Sequence, residues 1–310
     1  MPLVLRPLPL EGAWGDDILD ATSPYGYPAP LFTIPGEQSG DAADNFARCA
    51  LEALASKMRD LKVICAFVRL HPLLDSRQNI LANYGEIVHN GRTVYIDLAG
   101  DESELWRQTR GAYRRDMAKL KERGVSAFLD AHCSRLNEFV DIYHKTMQQV
   151  GAEQRYFFSK EYFAKLKDAL GQKLVLGYAR RATEESETKF APDEKIAAAG
   201  LFTECCSIVQ YHLSGSDPDS PDKDATKLIL HLVRSWAKER GNRLFHLGGG
   251  LGAKQDSLFF FKSGFSKLTA DFYTWRVIFE REIYDAVTKQ AQKTASPAPS
   301  AANFFPAYRI

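Results

Sequence analysis

The sequence has no long apolar run, no paired-cysteine spacing and no surplus of either charge. Its 40 Lys and Arg face 39 Asp and Glu across 310 residues, for a net charge of +1. No global field therefore recruits nucleic acid or a membrane, and any basic site must be local. No apolar stretch reaches the ~20 residues that a membrane helix needs. The opening MPLVLRPLPLEG is too short and proline-broken for a signal peptide, so a cytoplasmic protein is expected. The five cysteines, Cys49, Cys65, Cys133, Cys205 and Cys206, show no CxxC spacing, which suits reduced thiols. None of the seven histidines pairs as HxxxH or HExxH, and no metal site is expected. GxSxG is absent, GLGAKQD lacks the GK[ST] ending, and the glycines miss the dinucleotide fingerprint. Hydrolase, kinase and oxidoreductase readings gain no support, and no cofactor is expected.

What is present is ordinary soluble-protein material, 45% hydrophobic and 25% charged. The length suits two domains or one large one. Leu3–Leu8 reads as an edge strand. Asp41–Leu61 reads as an amphipathic helix with Phe46, Ala50, Leu54, Met58 and Leu61 at helical spacing, and Val63–Leu70 as a strand. Gly85–His89 and Thr93–Leu98 suggest a hairpin around Asn90-Gly91. Two helices near Arg135–Val150 and Ser159–Leu170 precede three antiparallel strands, Lys173–Arg181, Ile196–Glu204 and Ser207–Ser214, with a polar loop through 182–195. A helix over Asp224–Arg240, a short strand at Leu244–Leu247, a second helix, strand Lys267–Val277 and helix Glu280–Gln290 follow.

Two stretches carry candidate chemistry. In Leu244–Leu268 a strand ends at Gly248, Gly249 and Gly250, and a helix capped at Asp256 or Ser257 offers Phe259, Phe260, Phe261 and one cation, Lys262. Such a turn lets a ligand approach bare peptide groups, and an ammonium in an apolar wall suits a developing anion. The same pattern also serves as plain strand–turn–helix connection. In Glu102–Arg123, read as one helix, Arg107, Arg110 and Arg114 fall at i, i+3 and i+7 on one face, suited to phosphates or simply to solvent. Tyr25 and Tyr27 sit in a proline-ordered loop that either packs on the core or faces a ligand. Glu204, Tyr211 and His212 lie on candidate strands, with catalytic and structural roles both open.

The order helix, helix, three strands, helix, strand, helix, strand resembles the GNAT acyltransferase fold, an α/β (α+β) architecture. In detail the chain is similar to the Fem family of aminoacyl-tRNA-dependent peptidyltransferases. The resemblance rests on Trp106–Val125 with its spaced arginines, His246-Leu247-Gly248-Gly249-Gly250, Asp256-Ser257-Leu258-Phe259 and Phe261-Lys262-Ser263-Gly264-Phe265. It implies two tandem GNAT-like domains: a degenerate first copy at 1–130, a second at 131–290, and a loose or docked tail at 291–310. It also implies transfer of an aminoacyl group from tRNA to an amine on a peptidoglycan precursor, a peptide or an amino sugar. Phe261 and Lys262 match the family's Phe–Lys pair beside the aminoacyl ester. No long coiled-coil insertion is present, which leaves the acceptor open.

Acyl-CoA is the rival donor within the fold. GNAT enzymes hold its pyrophosphate on backbone amides at a glycine-rich turn before a helix. Here that stretch is Gly215–Asp224, with four aspartates, one lysine and two prolines, and proline lacks the amide donor. This disfavours CoA. A non-catalytic GNAT-derived binding module is the other alternative, because no unmistakable general base stands out.

Overall fold

The computed structural model describes residues 1–8, 17–33, 40–181, 195–294 and 304–309; most of the polar loop expected at 182–195 lies outside them. In chain order the first elements are β1 (Val4–Pro7), β2 (Leu19–Thr22), α1 (Asp41–Asp60), β3 (Val63–Arg69), α2 (Gln78–Leu81), β4 (Glu86–Asp97), α3 (Glu102–Gln108) and α4 (Gly111–Glu122). Then come β5 (Val125–Asp130), α5 (Leu136–Gln149), α6 (Lys160–Leu170), β6 (Leu174–Arg181), β7 (Ala198–Cys205) and β8 (Ile208–Ser216). The last are α7 (Thr226–Glu239), β9 (Leu244–Gly248), α8 (Ser257–Lys262), β10 (Thr269–Ile278) and α9 (Arg281–Thr294). Two compact units result: Met1–Arg92 with Ala270–Ile310, and Thr93–Thr269.

In the first unit β1 pairs antiparallel with β2, β2 parallel with β3, and β3 antiparallel with β10. α1 turns Ala43, Ala47, Leu51 and Met58 inward, while Phe46 is exposed. Small alanines let a helix lie close on a sheet, so the buried face is rotated from the one that the larger residues suggest. The expected hairpin at Asn90-Gly91 is not formed. β4 runs straight through, Gly91 takes φ 145°, and Asn90 Nδ2 donates to Val88 O (2.8 Å) and Thr274 Oγ1 (3.0 Å). The described end of the tail docks. Tyr308 is buried, and the buried Asp20 carboxylate accepts from Arg6 Nε (2.8 Å), Tyr308 Oη (3.0 Å) and Arg309.

In the second unit residues 94–97 of β4 pair antiparallel with β9, β9 parallel with β8, and β8, β7, β6 and β5 follow antiparallel. α7 buries Leu228, Ile229, Leu230 and Val233 on one face of this sheet; α5 buries Phe139, Val140 and Tyr143 on the other. With helices on both faces, β6 and β7 bury side chains on both sides of the sheet.

One irregularity shapes the centre of this sheet. Phe202 pairs with Tyr211 and Leu201 with Leu213, so His212 is an extra residue on β8, a bulge. The bulge switches the strand's phase. Val209 and Tyr211 belong to the α7-side core, whereas Leu213, two residues on, belongs to the α5-side core. The β8–β9 register extends only from Ile208↔Leu244 to Gln210↔His246. Beyond it the two parallel strands part.

Candidate active site

The parting of β8 and β9 is held by side chains. Gln210 Nε2 donates to Tyr211 O (2.8 Å), which leaves Gln210 Oε1 to accept from His246 Nδ1 (2.5 Å). This closes the final register pair. The chain then leaves β9 through Gly248, at φ 81°, into the turn at Gly249 and Gly250. A Cβ on Gly250 would stand 2.1 Å from Asp256 Oδ1 and 2.2 Å from Lys254 O, so only glycine fits. Asp256 ties the turn to α8: Oδ1 accepts from Phe259 N (2.9 Å) as the helix cap, and Oδ2 accepts from Leu251 N (2.8 Å). Those amide donors hold its carboxyl below the ordinary carboxylate range against the opposing effect of its partial burial.

α8 delivers Lys262 into this gap. The residue is 8% exposed, and its ammonium donates to Gly249 O at 2.6 Å and lies 5.7 Å from the centre of the Tyr211 ring. Burial pulls its pKa down to about 8, with Asp256 opposing the shift. Lys262, Gly249, Gly250 and Tyr211 are therefore one constellation. Tyr211 donates its hydroxyl to Ser214 Oγ and stacks on Phe202 (5.3 Å), and burial drives its pKa up to about 12. It stays a neutral phenol at physiological pH. His212, the bulged residue, is pulled down to about 4 by burial. It is a neutral imidazole and a weak proton acceptor.

Phe261 is half-buried and packs against Tyr113 (5.8 Å) and Phe265 (5.7 Å). Tyr113 fixes α8 from below, donating to Phe261 O (3.1 Å) while its ring fills the space where a Gly264 side chain would stand. Tyr113 is a member of the site that its plain helical context in the sequence concealed. Gln210 and Ser214 were hidden in the same way by their strand setting.

The basic stretch is not one helix. α3 ends at Gln108, Thr109 and Arg110 are extended, and α4 begins at Gly111, so Arg107, Arg110 and Arg114 do not share a helical face. Arg110 alone reaches α8: its N–H donates to Gly264 O (2.7 Å), and its exposed guanidinium lies near Phe260 O (3.4 Å) and over Tyr113 (5.1 Å). Arg107 is exposed on α3, and Arg114 is half-buried on α4. The buried Arg234 holds the break, donating to Leu105 O (2.9 Å) and Thr109 Oγ1 (3.2 Å).

Glu204 stands near the β7–β8 turn, held by Asn242 (2.6 Å) and Arg240 (2.8 Å). The Arg240 hydrogen bond keeps its carboxyl below the usual range. A carboxylate committed in this way serves as a structural anchor, and the catalytic role left open for it gains no geometric support. Tyr25 and Tyr27 belong to the other unit, where Tyr27 packs edge-on to Phe272 (5.2 Å) and His71 (6.1 Å) and Tyr25 is exposed.

The Gly215–Asp224 loop is knotted by ion pairs. Asp222 is buried between Arg123 and Arg181 (2.7 Å), Asp217 meets Lys145 (3.2 Å), and Asp224 meets Lys227 (3.5 Å). Much of its negative charge is neutralised, so composition overstated the repulsion.

No protein-family model and no curated protein matches the sequence. Solved structures do match. FemX superposes with a TM-score of 0.70 over 92% of this chain and 85% of its own, at 13% identity. A conserved protein of unknown function from Bacteroides thetaiotaomicron VPI-5482 gives 0.54 over 85% and 81%, at 14% identity. L-PGS from Bacillus licheniformis gives 0.51 over 74% and 72%, at 12% identity. At these identities the likeness is one of fold: the chain shares the mixed α/β architecture of FemX.

Proposed function

We propose that the chain is an aminoacyltransferase that moves an aminoacyl group from aminoacyl-tRNA to an amine on a peptidoglycan precursor, peptide or amino sugar. The observation that carries this reading is the buried Lys262 ammonium at the place where β8 and β9 part, within a Fem-like fold. Attack of an amine on an ester builds negative charge on the carbonyl oxygen and then on the departing ribose oxygen. A cation already desolvated and aimed by Gly249 stabilises that charge without reorganisation. The buried His212 is too weak a proton acceptor to be needed for this step, and transfer by positioning of the amine is effective by itself. Phe261 and the exposed Phe260 offer flat apolar surface to a terminal nucleoside, with Arg110 beside them for phosphate. Tandem GNAT-like halves and a cytoplasmic location, where charged tRNA is found, complete the proposal.

The test is incubation with a mixture of charged tRNAs and candidate amine acceptors, following transfer of radiolabelled amino acid. Transfer that requires charged tRNA supports the reading. Transfer from acyl-CoA instead moves the chain to the ordinary N-acyltransferases. Binding without transfer from any donor makes it a GNAT-derived binding module.

A further inference from the structure

The β7–β8 hairpin turns on two exposed cysteines whose sulfurs lie 3.5 Å apart, Cys205 and Cys206. Cys205 pairs with Ile208, which leaves Cys206 and Ser207 as a two-residue loop with φ 53° and 58°. Positive φ at both positions is the conformation that hairpins normally give to Asn-Gly, because side chains crowd the backbone there. This turn carries a thiol and a hydroxyl instead. The apex is also fixed from outside the hairpin: Ser207 O accepts from Arg243 N (2.9 Å) and Leu244 N (3.2 Å) at the start of β9. The two thiols are thus held together on a rigid mount.

A disulfide within the pair is a poor fit. Neighbouring Cα atoms stand about 3.8 Å apart across a trans peptide, short of the roughly 4.4–6.8 Å that an unstrained disulfide spans. A single atom bonded to both sulfurs is a better fit. Bonds of about 2.3 Å at a tetrahedral centre put the sulfurs about 3.8 Å apart, close to the distance already present.

The geometry points to the Cys205–Cys206 apex as a two-sulfur chelating site for a soft, thiophilic metal or metalloid centre. Among the described residues no group of three or more His, Cys, Asp or Glu side chains gathers to hold a metal ion. The remaining ligands therefore come from water or from the centre's own substituents. With a divalent metal ion, two S–H bonds break, two S–metal bonds form and two protons pass to solvent. With an organoarsenic(III) oxide, the same two protons leave with the oxide as water.

The probes are phenylarsine oxide and zinc ion, applied to the reduced full-length protein. An aromatic disulfide reagent should titrate three accessible thiols, Cys49, Cys205 and Cys206, in the native chain, and phenylarsine oxide should leave one. Cys205→Ser and Cys206→Ser should each weaken phenylarsine binding by about 10²–10⁴, the usual worth of a second linked contact. Ser207→Gly, which relaxes the turn and keeps both thiols, should bind as the wild type does. Calorimetry with zinc ion separates the sources: heat with proton release marks a soft-metal site, while phenylarsine binding alone marks a metalloid site. The proposal is overturned if phenylarsine oxide protects no thiol, or if either serine variant binds it as tightly as the wild type.

Discussion

Lys262 is a cation that the fold places where a cation is costly. Its pKa of about 8 lies below the ordinary 10.5 because burial disfavours the ammonium. The linkage sign follows: below pH 8 the folded chain holds a desolvated charge, and that burden lifts as pH rises from about 8 toward 10.5. This one group therefore adds stability with rising pH across that window, and Lys262→Met should be no less stable than wild type near pH 7. Transfer should behave in the opposite way. If the ammonium stabilises the transition state, activity falls as pH rises through about 8. Lys262→Met should lose roughly 10²–10³ in kcat with acceptor affinity nearly unchanged. Lys262→Arg should recover part of that loss, because charge survives and geometry does not. A rate that rises through the same pH, or a Met variant with normal kcat, removes the ammonium from the chemistry. Lys262, Phe261 and the glycines were legible in the sequence because a lone cation in an aromatic run is conspicuous. Gln210, Ser214 and Tyr113 were not, since only the fold brings Gln210 to His246, Ser214 to the Tyr211 hydroxyl and Tyr113 to α8.

At the scale of elements, the Gly249–Gly250 turn and the α3–α4 break decide what reaches the site. Gly250→Ala should drive a methyl group into Asp256 and the Lys254 carbonyl. The expected cost is about 1–3 kcal/mol, as for other overpacked positions, together with loss of transfer as Gly249 O moves away from Lys262. Gly252→Ala is the informative contrast, because nothing lies within 4 Å of its Cβ and only its φ of 60° is unfavourable. It should leave transfer largely intact; equal loss in both variants on a thermal melt and a transfer assay would show that the turn matters only for folding. The break separates the arginines in consequence as well as in space. Arg110→Glu, beside α8, should weaken tRNA binding more than Arg107→Glu, and wild-type binding should fall with salt as counterions are released. Equal effects in a filter-binding titration would return the stretch to a general basic surface. Most helices and strands could be read from period and caps, Ser159 and Asp256 among them. The break could not, because i, i+3, i+7 spacing continues smoothly across Thr109-Arg110 and the buried Arg234 that fixes it comes from far along the chain. Asn90-Gly91 misled for a related reason: a turn-forming pair within a long strand was absorbed by pairing and by Thr274.

At the scale of the whole chain, the first unit is discontinuous and the second is not. Residues 93–269 contain the α7-side and α5-side cores complete, every residue of both clusters lying within that span. The first unit's core draws Trp275 and Val277 from β10 and Phe279 from just after it, and its second cluster draws Tyr284, Val287 and Tyr308 from the C-terminal region. β10 also supplies the antiparallel partner of β3, from Thr274↔Arg69 to Ile278↔Cys65. A fragment of residues 1–92 would thus lack both a strand partner for β3 and a substantial part of its apolar interior. The expectation for fragments is asymmetric. Residues 93–269 expressed alone should give a cooperative thermal transition and protected amides on β6, β7 and β8. Residues 1–92 should show neither until residues 270–310 are joined to them through a short Gly/Ser linker in place of the second unit. Circular dichroism melts and hydrogen exchange on the three fragments make the comparison. A cooperative fold in 1–92 alone would show that residues 270–310 are dispensable to the first unit, and its absence in 93–269 that the second unit draws stability from outside its own two cores. If 93–269 folds, it contains Lys262, Gly249, Gly250, Tyr211 and His212, so measuring its charged-tRNA binding asks directly whether the donor site needs the rest of the chain.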